Sequence, residues 1–341
     1  MPTCNYTLKP GQMKVLVTSH SFGRFEKTAI GLLEDNGFAI EYVHANPMTP
    51  EVIASRINGV DCLIVGNDKI DERVFAAADR LKLIHMHGTG LDGIDMDCAN
   101  RHGVLVSNVT GANRNAVAEM TLALMLIVGR RIDKHISLLQ EGRWERTAGN
   151  EISGSTVGII GLGNIGRRLV ELLQGFRVSM VGFDITVDPL WAQQNHVAIT
   201  DSMDDVFRAA DFLVLSLPLN EKTRNLVNDR TLSLMKHTAY LINTARGGLV
   251  DEQALSRAII DKRIKGAALD AYVDEPPRMD SPLRNLDIVM TPHIAATSCE
   301  TSSQVSLIVA RQVIDILKHH NLALAVNHEA IAKFPGDRLV Q

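Results

Sequence analysis

The segment 155–184 constrains this chain most, because it combines a strand, a glycine-rich turn, a helix and a second strand in a fixed order. A short apolar run precedes Gly161, Gly163 and Gly166, which have the spacing G-x-G-x-x-G. Apolar residues then recur at helical spacing, and a second apolar run ends in Asp184. A strand, a turn and a helix in this arrangement predict a site for the pyrophosphate of a dinucleotide.

Each glycine of the turn has a separate physical role. Gly161 permits the tight turn out of the strand, Gly163 lets the backbone approach a pyrophosphate, and Gly166 lets the helix lie close to the strand. The N-terminus of the helix offers N–H groups and the positive end of its dipole to the phosphates. The alternative is an ordinary strand, turn and helix in which the glycines bind nothing.

Asp184 indicates which dinucleotide is bound. It lies 23 residues after Gly161 (184 − 161), where a carboxylate accepts hydrogen bonds from the ribose hydroxyls on the adenine side. A carboxylate at this position would repel a 2′-phosphate, and Ile185 and Thr186 supply no basic side chain to hold one. The expected cofactor is therefore NAD rather than NADP.

Length, charge and cysteine content narrow the class of protein. A chain of 341 residues is long enough for two domains, and a net charge of −4 gives no reason to expect nucleic acid or an anionic membrane as a partner. The most apolar segment, 116–128, is too short to span a bilayer. The four cysteines include no CxxC pair, so neither a disulfide framework nor a metal site is expected. The N-terminal residues lack the apolar stretch of a signal peptide, and we expect a cytoplasmic protein.

Apolar runs alternate with amphipathic segments along the chain, which predicts an α/β protein with two doubly wound parallel sheets. Strands are predicted at 14–18, 40–43, 62–65, 83–86, 104–107, 157–160, 178–183, 198–199, 212–216, 239–243, 266–269 and 288–290. Helices are predicted at 25–36, from 49 onward, at 71–78, 97–102, 115–132, after the glycine turn, and at 204–210, 228–235, 251–260 and 300–318. The last long helix is expected to return the chain to the first domain. The second domain, 108–296, would then be inserted between the two parts of the first, 1–107 and 297–341.

Three polar side chains follow predicted strands of the second sheet. Arg246 carries a planar guanidinium suited to a carboxylate, and Gly247 and Gly248 keep the backbone around it open. A carboxylate from Glu275 beside His293 would select one imidazole tautomer and raise its pKa, so that the ring exchanges a proton near neutral pH. Each residue alone has a simpler explanation, as a solvated loop arginine, a loop carboxylate or a strand-end histidine. Their joint placement at the ends of strands in one sheet favours a site.

The loop Gly88-Thr89-Gly90 follows a strand of the first domain and supplies small residues and N–H groups for a second contact with an anion. An arginine clamp, a base and a nicotinamide are what the oxidation of a 2-hydroxy acid requires. A small 2-hydroxy or 2-oxo acid is therefore the expected substrate.

At these residues the chain resembles the D-isomer-specific 2-hydroxyacid dehydrogenase family, in particular its phosphoglycerate dehydrogenase-like branch. The resemblance extends over about residues 14–327. It depends on the motifs HGTGLDGIDMD, GANRNAVAEMTLALML, GRW, TVGIIGLGNIGRR, LINTARGGLVDEQAL, AALDAYVDEPP and TPHIAATS.

The resemblance implies a Rossmann NAD-binding domain inserted into a flavodoxin-like substrate-binding domain. It also implies a homodimer, with the helix that begins near Asn115 in the contact, while Trp144 would pack in the core or cap a neighbour's cleft. By the same resemblance Arg246 binds the carboxylate and carbonyl of the substrate, His293 is the general acid and base, and Glu275 is its partner. The positions that match cofactor contacts of the family are Asn164, Ile165, Asp184, Thr244, Ala245, Asp270 and Ala296, and those that match its substrate loop are Thr89 and Gly90.

The chain departs from the phosphoglycerate dehydrogenase pattern at two places. It ends soon after Asn327, so a C-terminal regulatory domain is not expected. The segment 65–69 shows no arginine for a substrate phosphate, although Lys69 or Arg114 would be substitutes. Phosphoglycerate, hydroxypyruvate and glyoxylate therefore all stay open as substrate types. The alternatives are a formate or phosphite dehydrogenase, and an NAD(H)-sensing binding protein similar to the corepressors that share this fold.

Overall fold

The computed structural model describes residues 12–332, and the chain forms two compact units. Within the described residues, the first unit contains the chain up to Asn113 and the chain from Thr297 onward, and the second unit is Arg114–Ala296. No helix among residues 12–332 is long and apolar enough to cross a membrane. Which unit binds the cofactor and which the substrate remains a prediction at this point.

The first unit contains a five-stranded parallel sheet. Its strands are β1 Met13–Val17, β2 Phe38–Tyr42, β3 Cys62–Val65, β4 Leu83–Met86 and β5 Leu105–Ser107, and the helices between them are α1 Thr28–Asp35, α2 Pro50–Ala54, α3 Glu72–Ala77 and α4 Met96–Arg101. The strand order β2-β1-β3-β4-β5 changes direction between β1 and β3, so the sheet is doubly wound. Val15 and Val17 pack into one hydrophobic cluster and Leu16 into another, as expected for a strand covered on both faces.

The second unit contains a seven-stranded parallel sheet in the order β12-β11-β10-β9-β6-β7-β8. Its strands are β6 Thr156–Ile160, β7 Ser179–Phe183, β8 Val197–Ile199, β9 Phe212–Leu215, β10 Tyr240–Asn243, β11 Gly266–Leu269 and β12 Val289–Met290. Its helices are α5 Arg114–Arg130, α6 Ile132–Gln140, α7 Asn164–Leu173, α8 Pro189–Gln194, α9 Met203–Ala209, α10 Asp229–Leu234 and α11 Glu252–Ile260. In β6, Ile159 faces a cluster that includes residues of α5 and α7, and Ile160 faces a cluster that includes residues of α9 and α11. This sheet is therefore also covered on both faces, and its order changes direction at β6 and β9.

Two further helices, α12 Cys299–His319 and α13 His328–Ala332, belong to the first unit. Helix α12 packs against α1 and β4, and its buried Val305, Val309 and Val313 contribute to the same cluster as Val15. The side chain of Ser298 accepts a hydrogen bond from the N–H of Thr301 and caps the helix. The expectation that the helix after residue 300 returns to the first unit agrees with this packing.

The α/β class with two parallel sheets is confirmed, and β3, β4 and β11 have the predicted bounds. The prediction of one helix over 115–132 is wrong, because Arg131 has a left-handed backbone (φ 55°) and a separate helix, α6, follows it. Helix α7 ends at Leu173. A 3₁₀ turn over Gln174–Phe176 continues the helix, and Arg177 (φ 54°) is the residue that reverses the chain. Helix α8 was not predicted, because its apolar residues extend over only about one helical turn and show no repeat.

The glycine turn has the close contacts that its spacing predicts. Gly161 has a φ of +100°, and a Cβ on it would lie 2.1 Å from the carbonyl oxygen of Ser216. A Cβ on Gly166 would lie 2.1 Å from the carbonyl oxygen of Gly161. Helix α7 therefore approaches the end of β6 as closely as backbone atoms allow.

The first prediction concerns the stability of this turn. Gly161→Ala adds a methyl group where the backbone is left-handed and a neighbouring carbonyl occupies the space, so we expect a loss of roughly 2–4 kcal/mol in the free energy of unfolding. Gly175→Ala is the matched control, because its Cβ would meet no atom within 4 Å. Urea unfolding of both variants tests this, and equal stabilities would contradict the assigned packing.

Candidate active site

His293 and Glu275 form a direct pair at the carboxyl edge of the second sheet. His293 lies in the loop after β12, and its Nδ1 is 2.8 Å and 2.7 Å from the two carboxylate oxygens of Glu275. Glu275 Oε1 also accepts a hydrogen bond from the N–H of Tyr272 at 3.0 Å. Because a carboxylate only accepts, Nδ1 of His293 carries a hydrogen, and Nε2 is left as the atom that exchanges a proton.

The surroundings of His293 raise its pKa above the ordinary value. The hydrogen bond to Glu275 is the largest cause, burial of the ring opposes it, and the negative charges of Glu275 and Asp270 add to the increase. The positive charge of Arg246 lowers the pKa. These charges act on one imidazole, so Arg246, Asp270 and Glu275 lie close to His293 within the second unit.

Asp270 holds the loop that carries His293. It follows β11 and is 1% exposed. Its Oδ1 accepts hydrogen bonds from Thr291 Oγ1 at 2.5 Å and from the N–H of Ile294 at 2.9 Å, and its Oδ2 accepts one from the N–H of Ala295 at 2.7 Å. A buried carboxylate needs hydrogen-bond donors, and here these bonds connect two neighbouring strand ends. Its cofactor contact, like that of the half-buried Ala296 beyond this loop, stays a prediction.

Arg246 lies just after β10, in a segment held by Asn243. The buried Asn243 side chain donates to the carbonyl of Arg246 at 2.9 Å and accepts from the N–H of Ala245 at 3.1 Å. A Cβ on Gly247 would lie 1.9 Å from the carbonyl carbon of Tyr272, so the backbone beside Arg246 packs directly against the segment that leads to Glu275. The half-buried guanidinium donates from Nη1 to the carbonyl of Ala245 at 2.8 Å. The three predicted catalytic residues thus follow β10, β11 and β12, which are neighbours in the sheet.

The glycine turn fits a dinucleotide. A Cβ on Gly163 would meet no atom within 4 Å, so the space above the turn is open. Among the described residues, no side chain caps the first turn of α7, where Asn164 and Ile165 lie. The hydroxyl oxygen of Ser216 is buried beside the turn without a hydrogen-bond partner in residues 12–332. An open cradle, a helix N-terminus and an unpaired hydroxyl are what a pyrophosphate group would complete.

Asp184 lies at the end of β7, beside the same turn. Its Oδ2 accepts a hydrogen bond from the N–H of Leu162 at 2.6 Å, and its Oδ1 accepts one from the N–H of Thr186 at 3.1 Å. Both carboxylate oxygens keep a second lone pair for ribose hydroxyls. This position is compatible with the predicted ribose contact.

Thr244 is oriented by a residue that the sequence did not single out. Its hydroxyl is 2.7 Å from that of Thr121, which donates to the carbonyl of Val117 at 2.7 Å. The hydrogen between the two hydroxyls therefore comes from Thr244, which leaves this side chain as an acceptor. Sequence reasoning missed Thr121 because it lies on a helix, and missed Ser216 because it was assigned as the last residue of the strand 212–216, whereas β9 ends at Leu215 and Ser216 follows it.

The predicted substrate loop belongs to the first unit. Thr89 Oγ1 donates to the carbonyl of Val109 at 2.9 Å, Asn108 donates to the carbonyl of Thr89 at 2.6 Å, and the N–H of Val109 donates to the carbonyl of Gly88 at 2.8 Å. These bonds fix Gly88 and Thr89. Within residues 12–332, no group of three or more His, Cys, Asp or Glu side chains is arranged to hold a metal ion.

Comparison with known proteins gives consistent matches. Residues 122–295 match the family model described as D-isomer specific 2-hydroxyacid dehydrogenase, NAD binding domain. The chain is 35% identical to the D-3-phosphoglycerate dehydrogenase of Methanocaldococcus jannaschii over 96% of this chain and 61% of that protein. It is 34% identical to the glyoxylate reductase of Thermofilum pendens over 86% of this chain and 89% of that protein.

The fold is similar to that of the NAD-dependent formate dehydrogenase of Staphylococcus aureus, solved in complex with NAD. The TM-score is 0.79 at 27% identity, with 90% of this chain and 96% of that chain covered. The chain spans only about three-fifths of the length of the phosphoglycerate dehydrogenases that it matches, 61% and 56% for two of them.

The second prediction concerns the pKa of His293. Glu275→Gln removes the largest cause of the increase and leaves burial and Arg246, which both lower the pKa, so we expect the pKa of His293 to fall. NMR titration of the imidazole measures this directly. The pair stabilises the fold below the ordinary histidine pKa and loses this contribution as pH rises through the raised pKa, so the variant should lose stability mainly at acidic pH. An unchanged pKa would contradict the pairing.

Proposed function

The chain belongs to the D-isomer-specific 2-hydroxyacid dehydrogenase family, and from this premise we propose that it is an NAD-dependent oxidoreductase that interconverts a D-2-hydroxy acid and its 2-oxo acid. The observation that carries the proposal is the His293–Glu275 pair with Arg246 on the adjacent strand end. All three belong to the sheet that carries the glycine turn. In this proposal the second unit binds the cofactor, and Gly88, Thr89 and Gly90 keep their predicted role as substrate contacts.

Arg246 is the proposed substrate clamp. Its guanidinium offers planar N–H donors to the carboxylate and to the neighbouring carbonyl oxygen of a 2-oxo acid, which fixes the plane of the reacting carbon. The bond from Nη1 to the carbonyl of Ala245 limits the rotation of the guanidinium. NADH supplies a hydride to the carbonyl carbon when it is bound.

His293 is the proposed general acid and base. In the reducing direction its Nε2 donates a proton to the carbonyl oxygen as that oxygen gains charge, and in the oxidising direction it accepts the hydroxyl proton. Since Glu275 raises the pKa of His293, the ring is more extensively protonated near neutral pH, which favours reduction. The reducing rate should therefore fall as pH rises through this pKa, and the oxidising rate should rise.

The charges of the first unit favour a substrate with a small uncharged tail. Asp68, just after β3, has a carboxylate oxygen that accepts from Thr18 Oγ1 at 2.5 Å and from the N–H of Gly66 at 3.1 Å. Strand β3 neighbours β4, which leads to the substrate loop. Burial lowers the pKa of His87, the residue before that loop, to about 4, so this ring is neutral at pH 7. The segment 65–69 offers a carboxylate next to Lys69 and no arginine, which suits a doubly charged phosphate poorly, so we propose glyoxylate or hydroxypyruvate ahead of a phosphorylated acid.

The third prediction tests this function with a panel of substrates. NADH consumption is measured with glyoxylate, hydroxypyruvate, pyruvate and 3-phosphohydroxypyruvate, and NADH formation from NAD is measured with formate and phosphite. We expect the highest kcat/KM for a small unphosphorylated 2-oxo acid. NADH binding without turnover on any member would instead indicate a sensor, and turnover of formate or phosphite alone would overturn the 2-oxo acid assignment.

Variants of Arg246 test, in the same assay, whether this residue binds the carboxylate of the substrate. Arg246→Gln should lower kcat/KM by about three orders of magnitude while NADH binding persists, because the loss affects substrate orientation. Arg246→Lys keeps the charge without the planar fork and should recover only a small part of the activity. Near-normal turnover in Arg246→Gln would show that the clamp is elsewhere.

We also propose that the protein is a cytoplasmic homodimer. The three described cysteines are free, which suits a reducing compartment. Helix α6 exposes Ile132, Ile136 and Leu139 on one face, and the nearby Trp144 is 79% exposed, so it is not part of the core of its own chain. An apolar face of this kind supports an interface with a second copy.

The fourth prediction concerns this association. Ile136→Asp places a charge on the apolar face of α6 and should shift the protein from dimer to monomer in light scattering after size exclusion. Lys134→Asp places the same charge on the opposite face of the helix and serves as the control. A dimer that persists in Ile136→Asp would remove this face from the interface.

A further inference from the structure

A basic side chain for the ribose end of the proposed cofactor site is offered by helix α7 and not by the segment after β7. Asp184 is followed by Ile185 and Thr186, neither of which is basic. Arg167, however, lies in the first turns of α7, and it contacts the same residue of the glycine turn, Leu162, as Asp184 does. The N–H of Leu162 donates to Asp184 at 2.6 Å, and the carbonyl of Leu162 accepts from Arg167 Nε at 3.0 Å. One residue of the glycine turn thus holds the carboxylate on one side and the guanidinium on the other.

Two contacts orient the Arg167 side chain. Its Cζ lies 4.6 Å from the centre of the Trp191 ring, so the guanidinium stacks on an aromatic face. Trp191 belongs to α8, which starts at Pro189 and is capped by Asp188. The guanidinium is therefore anchored through Nε and one face, at the side of the turn where the chain leaves β7.

The terminal nitrogens of Arg167 remain available. Within residues 12–332, its Nη1 and Nη2 make no hydrogen bond or ion pair, and the residue is half-buried. The neighbouring Arg168 differs, because its Nη1 pairs with Glu171 at 2.7 Å. Paired N–H donors on a fixed plane match the geometry of a phosphate group.

We propose that Arg167 is a latent binding group for a 2′-phosphate and that Asp184 alone prevents its use. The inference rests on the proposed function, since it assumes that the adenosine ribose lies at Asp184. In the wild-type chain, the carboxylate accepts the ribose hydroxyls and repels a phosphate ester at the 2′ position. Once that charge is removed, the guanidinium is already placed to bind the phosphate. Cofactor choice therefore depends on one carboxylate opposed to one pre-positioned cation.

The fifth prediction uses ligands that lack nicotinamide, so that its readout is binding rather than turnover. Isothermal titration compares ADP-ribose with 2′-phospho-ADP-ribose. Asp184→Asn keeps an acceptor for the N–H of Leu162 but removes the charge, and it should increase the affinity for the 2′-phosphorylated ligand by roughly 10- to 100-fold. Arg167→Gln in the Asp184→Asn background should abolish that gain while leaving ADP-ribose affinity within about threefold. The gain should also decrease as salt is added.

Arg168→Gln in the same background is the matched control, and the gain should persist. Arg167→Lys keeps a charge without the stacked plane, so it should retain only part of the gain. A gain that survives both Arg167 variants, or that Arg168→Gln removes equally, overturns the inference. If ADP-ribose fails to bind the wild-type chain, the proposed cofactor site itself is wrong. If ADP-ribose binds but the affinity for the 2′-phosphorylated ligand does not depend on Arg167, only the inference about Arg167 is wrong.

Discussion

The contact between the start of helix α7 and the end of strand β6 is the constraint on which the rest of the second unit depends. Gly166 faces the carbonyl of Gly161 with no room for a Cβ, and Gly161 faces that of Ser216 in the same way. This approach brings a helix N-terminus to the carboxyl edge of the sheet, where parallel strands place their polar residues. A longer turn would separate the two, and the edge would lose its anion-binding character.

The chemistry at this edge is divided between two carboxylates with different surroundings. Asp270 is buried and uses its oxygens to hold the loop after β12, so it determines where His293 lies. Glu275 has a side chain that is 30% exposed, and it bonds the imidazole directly. It is the largest cause of the raised pKa of His293. Asp270 therefore acts mainly on the position of His293, with a smaller effect on its pKa, and Glu275 acts mainly on its protonation.

A similar division exists at the ribose end of the site. Asp184 and Arg167 bind opposite ends of the same residue, Leu162, one through its N–H and the other through its carbonyl. Because the two side chains carry opposite charges, each would favour a different 2′ substituent on the ribose of the proposed cofactor site. The preference for a 2′-hydroxyl over a 2′-phosphate would then depend on two opposing electrostatic interactions, so a change of one charge would be enough to alter it.

The first unit shows how much local pattern can predict. Strands β3 and β4 were predicted with their bounds because their apolar runs are short, continuous and followed by polar turn residues.

In the second unit, helix α6 and the reversal at Arg177 were missed. In both cases a non-glycine residue adopts the left-handed backbone, Arg131 before α6 and Arg177 after α7, and local preference gives no warning of it.

The sequence by itself determined the α/β class, the glycine turn and the set Arg246, Glu275 and His293, because strand ends and glycine spacing are local features that can be read along one chain. Only the tertiary structure decided the geometry of the expected contact between Glu275 and His293, the bonds by which Asp270 holds the loop that carries His293, and the shared contact of Arg167 and Asp184 with Leu162. These residues come from different strands and helices, so their proximity depends on strand order and helix packing, and no spacing along the chain encodes it.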